Sequence, residues 1–265
     1  SCNMSSVLIT GATSGIGEAL AHAYASKQHQ VIACGRNEEK LTSLSTKISS
    51  RDLTEPDFET NQPISKHCET NNFKTLAFDI TNVEQIKLAA AEIDTLDTII
   101  LNAGDCEYID DAVGFDNELF QRVINVNLVA IGHLLHYLLP KLSNGGQLVL
   151  VSSSVTILPL PRAEAYGASK AGLDYLANTL RLDLAKHNIG VTLIHPGFVK
   201  TPLIDKNDFA MPFRITSEEA ADRIYKAERN KRCYAHFPKR FTYLLKLMAL
   251  IPKPLWQKLL TWRTS

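Results

Sequence analysis

Three glycines within seven residues, Gly11, Gly15 and Gly17, follow directly on the apolar run Val7–Thr10 and open a helical pattern from about Ile16 to Lys27. This order of strand, glycine turn and helix constrains the fold more than any other feature of the chain. Glycine permits a tight turn, close approach of main chain to a ligand, and close packing of the helix on the strand before it. The helix then aims free N–H groups and the positive end of its dipole at the turn, making a site for an anion such as a pyrophosphate. Gly11, Thr13, Ser14, Gly15, Ile16 and Gly17 are therefore candidate phosphate-binding residues.

Short β-branched runs then alternate with longer helical patterns. Val31–Cys34, Thr75–Phe78, Thr98–Leu101, Gln147–Val151, Val191–Ile194 and Tyr234–Phe237 read as further strands. Helices are expected near Glu38–Ser49 and Ala163–Lys186, and after a capping box at Thr216–Glu219. The apolar runs barely alternate with polar residues, as strands covered on both faces do. The pattern predicts an α/β fold: a single doubly wound Rossmann-type domain over residues 1–238, with a parallel seven-stranded sheet and helices on both faces. A polar excursion at 51–72, holding Pro56 and Pro63, interrupts the rhythm.

Composition excludes some functions. Lys+Arg and Asp+Glu are both 28 in 265 residues, so no global positive field exists to hold nucleic acid. The five cysteines are odd in number and widely spaced, without C-x-x-C. A disulfide framework or a metal site is not expected, and a reducing compartment fits. The apolar runs fall short of the roughly 20 residues of a membrane span, and Ser1–Ser6 lacks the basic and apolar regions of a signal peptide. The expected location is cytoplasmic.

Further site candidates sit where the predicted strands end. After Val31–Cys34 comes Gly35-Arg36-Asn37, where an acidic residue would bond a ribose 2′-OH. Gly35 instead makes room, and Arg36 offers a guanidinium to a 2′-phosphate. Asp79 and Ile80 are placed to meet an adenine, and a helix cap is a second reading of Asp79. Tyr166 and Lys170 stand four apart in a helical stretch and so share a face. An ammonium beside a phenol favours the phenolate, which would bring Tyr166 nearer neutral pH for proton transfer. Ser152, Ser153 and Ser154 end a strand at the sheet's carboxyl edge, where a hydroxyl could bond a substrate carbonyl. Cys106 and His195 read as a packed thiol and a turn histidine.

Together these residues resemble the short-chain dehydrogenase/reductase family, in its compact subgroup, from about Val7 to Phe237. The matching motifs are T-G-x-x-x-G-x-G at Thr10–Gly17, N-A-G at Asn102, Ala103 and Gly104, Y-x-x-x-K at Tyr166 and Lys170, and P-G at Pro196 and Gly197. Ser153 stands thirteen residues before Tyr166, as the family's catalytic serine does, and the active-site asparagine falls on Asn127. The resemblance implies hydride transfer between a nicotinamide cofactor and a carbonyl or alcohol substrate, small and apolar. Tyr166 would be the acid/base, with Lys170 tuning it and holding the nicotinamide ribose. Ser153 would orient the substrate oxygen, and Asn127 would support a water relay. Tyr166, Lys170, Pro196, Gly197, Val199 and Thr201 would contact the cofactor, with Thr201 at the carboxamide. With Gly35 and Arg36, the cofactor implied is NADP(H) rather than NAD(H).

Two other readings are a cofactor-bound sensor without turnover and a nucleotide-sugar epimerase or dehydratase. The second belongs to longer chains with T-G-x-x-G-x-x-G spacing. The segment from Pro202 to Arg214, with Phe209, Met211, Pro212 and Phe213, suggests an apolar lid. Residues 239–265 form a basic amphipathic tail split by Pro252 and Pro254. Its apolar stripe is expected to pack on the same domain, with peripheral contact to an anionic membrane the less favoured reading. Apolar and small residues on the helices bearing Asn127 and Tyr166 predict a homodimer or homotetramer.

Overall fold

In the computed structural model, residues 4–51, 72–200 and 213–262 are described. Most of the 51–72 excursion, Thr201, and the lid candidates Phe209, Met211 and Pro212 lie outside them. The elements in chain order are β1 Ser6–Thr10, α1 Gly15–Ala25, β2 Gln30–Gly35, α2 Glu38–Arg51, β3 Phe73–Ala77, α3 Val83–Ala91 and β4 Leu96–Leu101. Then come α4 Asn117–Ile124, α5 Ala130–Leu138, β5 Leu142–Val151, α6 Glu164–Leu184, β6 Gly190–Pro196, α7 Ser217–Arg229, β7 Tyr234–Phe237, α8 Lys239–Met248 and α9 Lys253–Thr261.

Among the described residues, seven strands form one sheet in the order β3-β2-β1-β4-β5-β6-β7, and each neighbouring pair is parallel. This is the doubly wound arrangement expected of the sequence. Successive strand residues serve opposite faces, which is why the runs are apolar throughout. Val7, Ile9, Ile100, Val149 and Ile194 join the core under α1, α2 and α7. Leu8, Ile99, Leu148, Leu150 and Leu193 join the core under α3, α5 and α6. The sheet order reverses between β1 and β4, and ligands of doubly wound sheets bind outside the carboxyl ends of the strands at such a point.

Two local features differ from expectation. The third strand ends at Ala77 and leaves Phe78 in the following turn. The stretch Asn117–Lys141 forms one helix, long and apolar enough by length and composition to cross a membrane, although no single apolar run suggested it. A π-helical turn at Asn125–Val129 separates α4 from α5. Ile131, Leu134 and Leu138 of α5 sit in the core, so this helix belongs to the folded domain.

One buried carboxylate ties the two ends of the chain together. Glu228 of α7 accepts hydrogen bonds from Tyr24 Oη of α1 (2.8 Å) and Thr98 Oγ1 of β4 (2.9 Å). Two donors on a buried acid meet the requirement that such a group be satisfied.

Candidate active site

The glycine turn is built as its spacing requires. Gly11 and Gly15 take φ values of +66° and +54°, open to glycine at little cost. A Cβ on Gly11 would stand 2.9 Å from Ala103 Cα, so the two loops touch through bare main chain. Ser14 occupies the N-cap of α1 without a side-chain cap bond, which leaves the first helical N–H groups available to an anion. Thr10 Oγ1 accepts from the N–H groups of Asn102 (3.0 Å) and Ala103 (3.2 Å), and Asn102 Nδ2 donates to the carbonyls of Thr10 and Gly11 (3.4 Å each). The N-A-G loop and the glycine loop are thereby stitched across the sheet's switch point.

A cleft of about 1,100 Å³ runs along this edge. Its walls include Gly11, Thr13, Ser14, Gly15, Ile16, Arg36, Asp79 and Ile80 toward one end, with Asn102, Ala103 and Gly104 between. Ser153, Tyr166, Lys170, Pro196, Gly197 and Val199 complete it. Gly17 lies behind the wall: a Cβ there would collide with the Gly11 carbonyl, so its part is helix packing. Asp79 accepts from the N–H and hydroxyl of Thr81 (2.8 Å each). The α3 cap is Asn82, which removes the second reading of Asp79. Burial pushes the Asp79 carboxyl up, but the Thr81 bonds and the Arg36 charge together hold it below its ordinary value.

At the other end, α6 carries Tyr166 and Lys170 one turn apart, and the Lys170 ammonium stands 5.9 Å from the Tyr166 ring centre. Lys170 Nζ donates to the Val151 carbonyl at 3.1 Å. Ser152 Oγ donates to the Lys170 carbonyl, at 3.3 Å. Ser153 Oγ accepts from the Val155 N–H (3.1 Å) and shares a hydrogen bond with the Tyr166 phenol. Of the three serines, Ser153 is thus the one joined to the phenol.

Electrostatics here correct one expectation. Burial pushes the Tyr166 phenol well above its ordinary value, the Cys106 thiol adds to the rise, and the Ser153 bond opposes it. Burial also draws Lys170 down to about 8, against the charges of Cys106 and Asp174. Desolvation therefore sets the direction at Tyr166, and in the protein alone the phenol is not brought toward neutral pH.

Asn127 stands beside this group. It lies buried in the π-helical turn, where its Oδ1 accepts from the Asp105 N–H (2.7 Å). Its Nδ2 donates to the Asp105 carbonyl (2.7 Å) and Ser169 Oγ (3.0 Å). Its side chain is thus engaged in pinning the loop after Gly104.

Cys106 is not a packed core thiol. It lines the cleft, with its Sγ 3.4 Å from Tyr108 Oη. Tyr108 meets the Tyr166 ring edge-on at 6.3 Å. His195 is no turn residue: buried at the end of β6, it bonds Asp174 (2.9 Å), Tyr234 (3.0 Å) and Thr156 (3.3 Å). Phe241 and Leu245, from the tail, also line the cleft.

A family model described as short chain dehydrogenase matches residues 5–210. The chain belongs to the short-chain dehydrogenase family. An uncharacterized oxidoreductase of Myxococcus xanthus (strain DK1622) is 30% identical over 250 residues, covering 94% of this chain and 93% of the relative. Serine 3-dehydrogenase of Rhizobium radiobacter is 30% identical over 225 residues, covering 83% and 80%. A solved serine dehydrogenase in a closed form complexed with NADP+ superposes with a TM-score of 0.72 at 22% identity, covering 88% of this chain and 94% of that one. Short-chain dehydrogenases are nicotinamide-dependent oxidoreductases that transfer hydride to or from small molecules. The family match ends before α7, so α7, β7, α8 and α9 lie beyond it.

Proposed function

We propose that this chain is an NADP(H)-dependent reductase or alcohol dehydrogenase for an apolar carbonyl or carbinol. The observation that carries the reading is one continuous cleft with a phosphate cradle at one end and Ser153, Tyr166 and Lys170 at the other. The residues fit a dinucleotide: side-chain-free turns lie at the cradle, uncapped N–H groups begin α1, and Arg36 stands at the ribose end. When bound, the nicotinamide supplies or accepts the hydride.

The protein supplies the proton and the positioning. Val155 occupies a lone pair of Ser153 Oγ, and the one Ser153 O–H, which meets the Tyr166 oxygen in the protein alone, would turn to the substrate oxygen on binding. Tyr166, kept protonated by burial, is poised to give its proton to a carbonyl oxygen in reduction. Burial would destabilise the phenolate left behind, and the Lys170 ammonium is the charge that offsets it. Tyr108, Leu160, Phe198, Phe241 and Leu245 make the substrate end largely apolar. The two arginines on that wall are paired, Arg122 with Glu107 (2.9 Å) and Arg162 with Asp110 (2.6 Å), so neither presents a bare charge.

The cofactor choice rests on Arg36 and the missing carboxylate at Gly35, and the NADP+ held by the solved relative supports it. A charge-assisted bond is worth about 1.5–3 kcal/mol. Titration should therefore give a preference for NADPH over NADH of roughly ten- to a hundredfold, largely abolished in Arg36→Ala. Equal affinities in the unaltered protein would refute it. A panel of ketones and aldehydes with NADPH tests turnover, and none on any member would favour a sensor.

Association and location are part of the proposal. Tyr175 and Leu182, two turns apart on α6, are 78% and 76% exposed, an apolar surface suited to a two-fold partner. Light scattering should give a dimer or tetramer mass at micromolar concentration, and a monomer mass would overturn this. A cytoplasmic location is proposed from the sequence alone, whose five widely spaced cysteines hold no C-x-x-C.

A further inference from the structure

We propose that α8 and α9 form a docking surface for an anionic lipid bilayer. This rests on the outer face of the tail and is independent of the reading of the cleft. The inner face is already occupied: Phe241 and Leu245 pack with Leu158, and Trp256 joins them and donates to the Pro159 carbonyl at 3.0 Å. Each helix turns a second apolar stripe outward. On α8, Arg240, Tyr243, Leu244 and Leu247 follow at helical spacings of three and four, all exposed. On α9, Leu255, Lys258, Leu259 and Trp262 repeat the pattern, all exposed. Trp262 is 83% exposed, Leu250 between the helices 79%, and α9 has no fully buried residue.

An uncovered apolar surface of this kind marks an interaction site. Charge selects the partner. The whole chain is neutral, yet 239–265 holds Lys239, Arg240, Lys246, Lys253, Lys258 and Arg263 and no acidic residue. Leucine and tryptophan interleaved with lysine and arginine suit the headgroup region of an anionic membrane, where the rings enter and the cations meet phosphate. A second copy of the same face would instead bring like charges together.

Both tryptophans of the chain, Trp256 and Trp262, lie in this tail, so intrinsic fluorescence reports on it alone. The full chain is mixed with vesicles of phosphatidylserine and phosphatidylcholine, or of phosphatidylcholine only. The expected result is co-sedimentation and a blue-shifted emission with the anionic vesicles. Binding should weaken about tenfold or more between roughly 0.1 and 0.5 M salt, and be far weaker on neutral vesicles. Leu244→Glu with Leu247→Glu should abolish it at an unchanged thermal midpoint. Should that variant misfold, Lys253→Glu with Lys258→Glu keeps the apolar stripe and should still lose about tenfold or more. Absence of binding to anionic vesicles at low salt would overturn the proposal, as would binding indifferent to lipid charge. So would self-association through this face, abolished by the glutamates, in place of vesicle binding.

Discussion

Tyr166→Phe lowers turnover on a carbonyl substrate by about 10²–10⁴-fold, the usual worth of a positioned acid/base, and leaves cofactor affinity near that of the unaltered protein. Phenylalanine keeps the buried ring, including its edge-on contact with Tyr108, and removes only the hydroxyl joined to Ser153. The pH profile adds an independent reading. Lys170 has a depressed value of about 8, so its ammonium is lost as pH rises through that value. Reduction should be flat below about pH 8 and fall about tenfold per unit above it, because the phenolate is then uncompensated. Steady-state kinetics between pH 6 and 10 decides the matter. A Tyr166→Phe protein with near-normal turnover would dismiss the acid/base assignment.

Gly17→Ala should be the most destabilising single methyl that can be added to the phosphate cradle. The new Cβ would run into the Gly11 carbonyl, a main-chain atom whose turn is held by Asn102. Neither side can swing away, so the cost falls at the upper end of the overpacking range, about 3 kcal/mol. For a domain of this size the thermal midpoint drops by about 6–12 °C. Cofactor affinity falls about tenfold or more, since the N–H groups of the turn move with it. Gly132→Ala on α5 is the control: a Cβ there meets nothing within 4 Å. It should leave the midpoint unchanged or raise it slightly. Equal midpoints for Gly17→Ala and the parent would contradict the packing account.

The cradle, the pairing of Tyr166 with Lys170 and the alternation of strands with helices along the chain were legible because each rests on local spacing. The runs around Ile9, Ile99 and Leu150 read as doubly covered strands because alternate residues feed two cores. Other features depend on what folds against what. The direction of the Tyr166 shift follows from burial, which spacing of four residues does not reveal. Cys106 and Tyr108 follow the N-A-G loop without periodicity, so their arrival in the cleft had no signal. Asn127 was found by motif, but its partner Asp105 is brought to it by the π-helical turn. In the tail, Phe241 with Leu245 and Leu244 with Leu247 are both apolar pairs at helical spacing. Which pair faces inward is decided by Leu158 and Phe198, distant in sequence.

The Tyr24–Glu228 bond closes a gap of 204 residues, and its consequence is a matter of time during synthesis. Leu20 and Tyr24 of α1 emerge early, yet part of the surface that covers them, Ala220, Ile224 and Ala227 of α7, is made near the end. At about 5–20 residues per second, that face waits roughly 10–40 s after α1 has left the ribosome. Contacts so distant cannot reward early ordering, so final closure of the first core is a late step. A chain interrupted before α7 can still pair β1, β2 and β3 under α1 and α2, but it leaves the part of that core that α7 covers bare and without its buried carboxylate. Such a nascent chain is the form most in need of a chaperone.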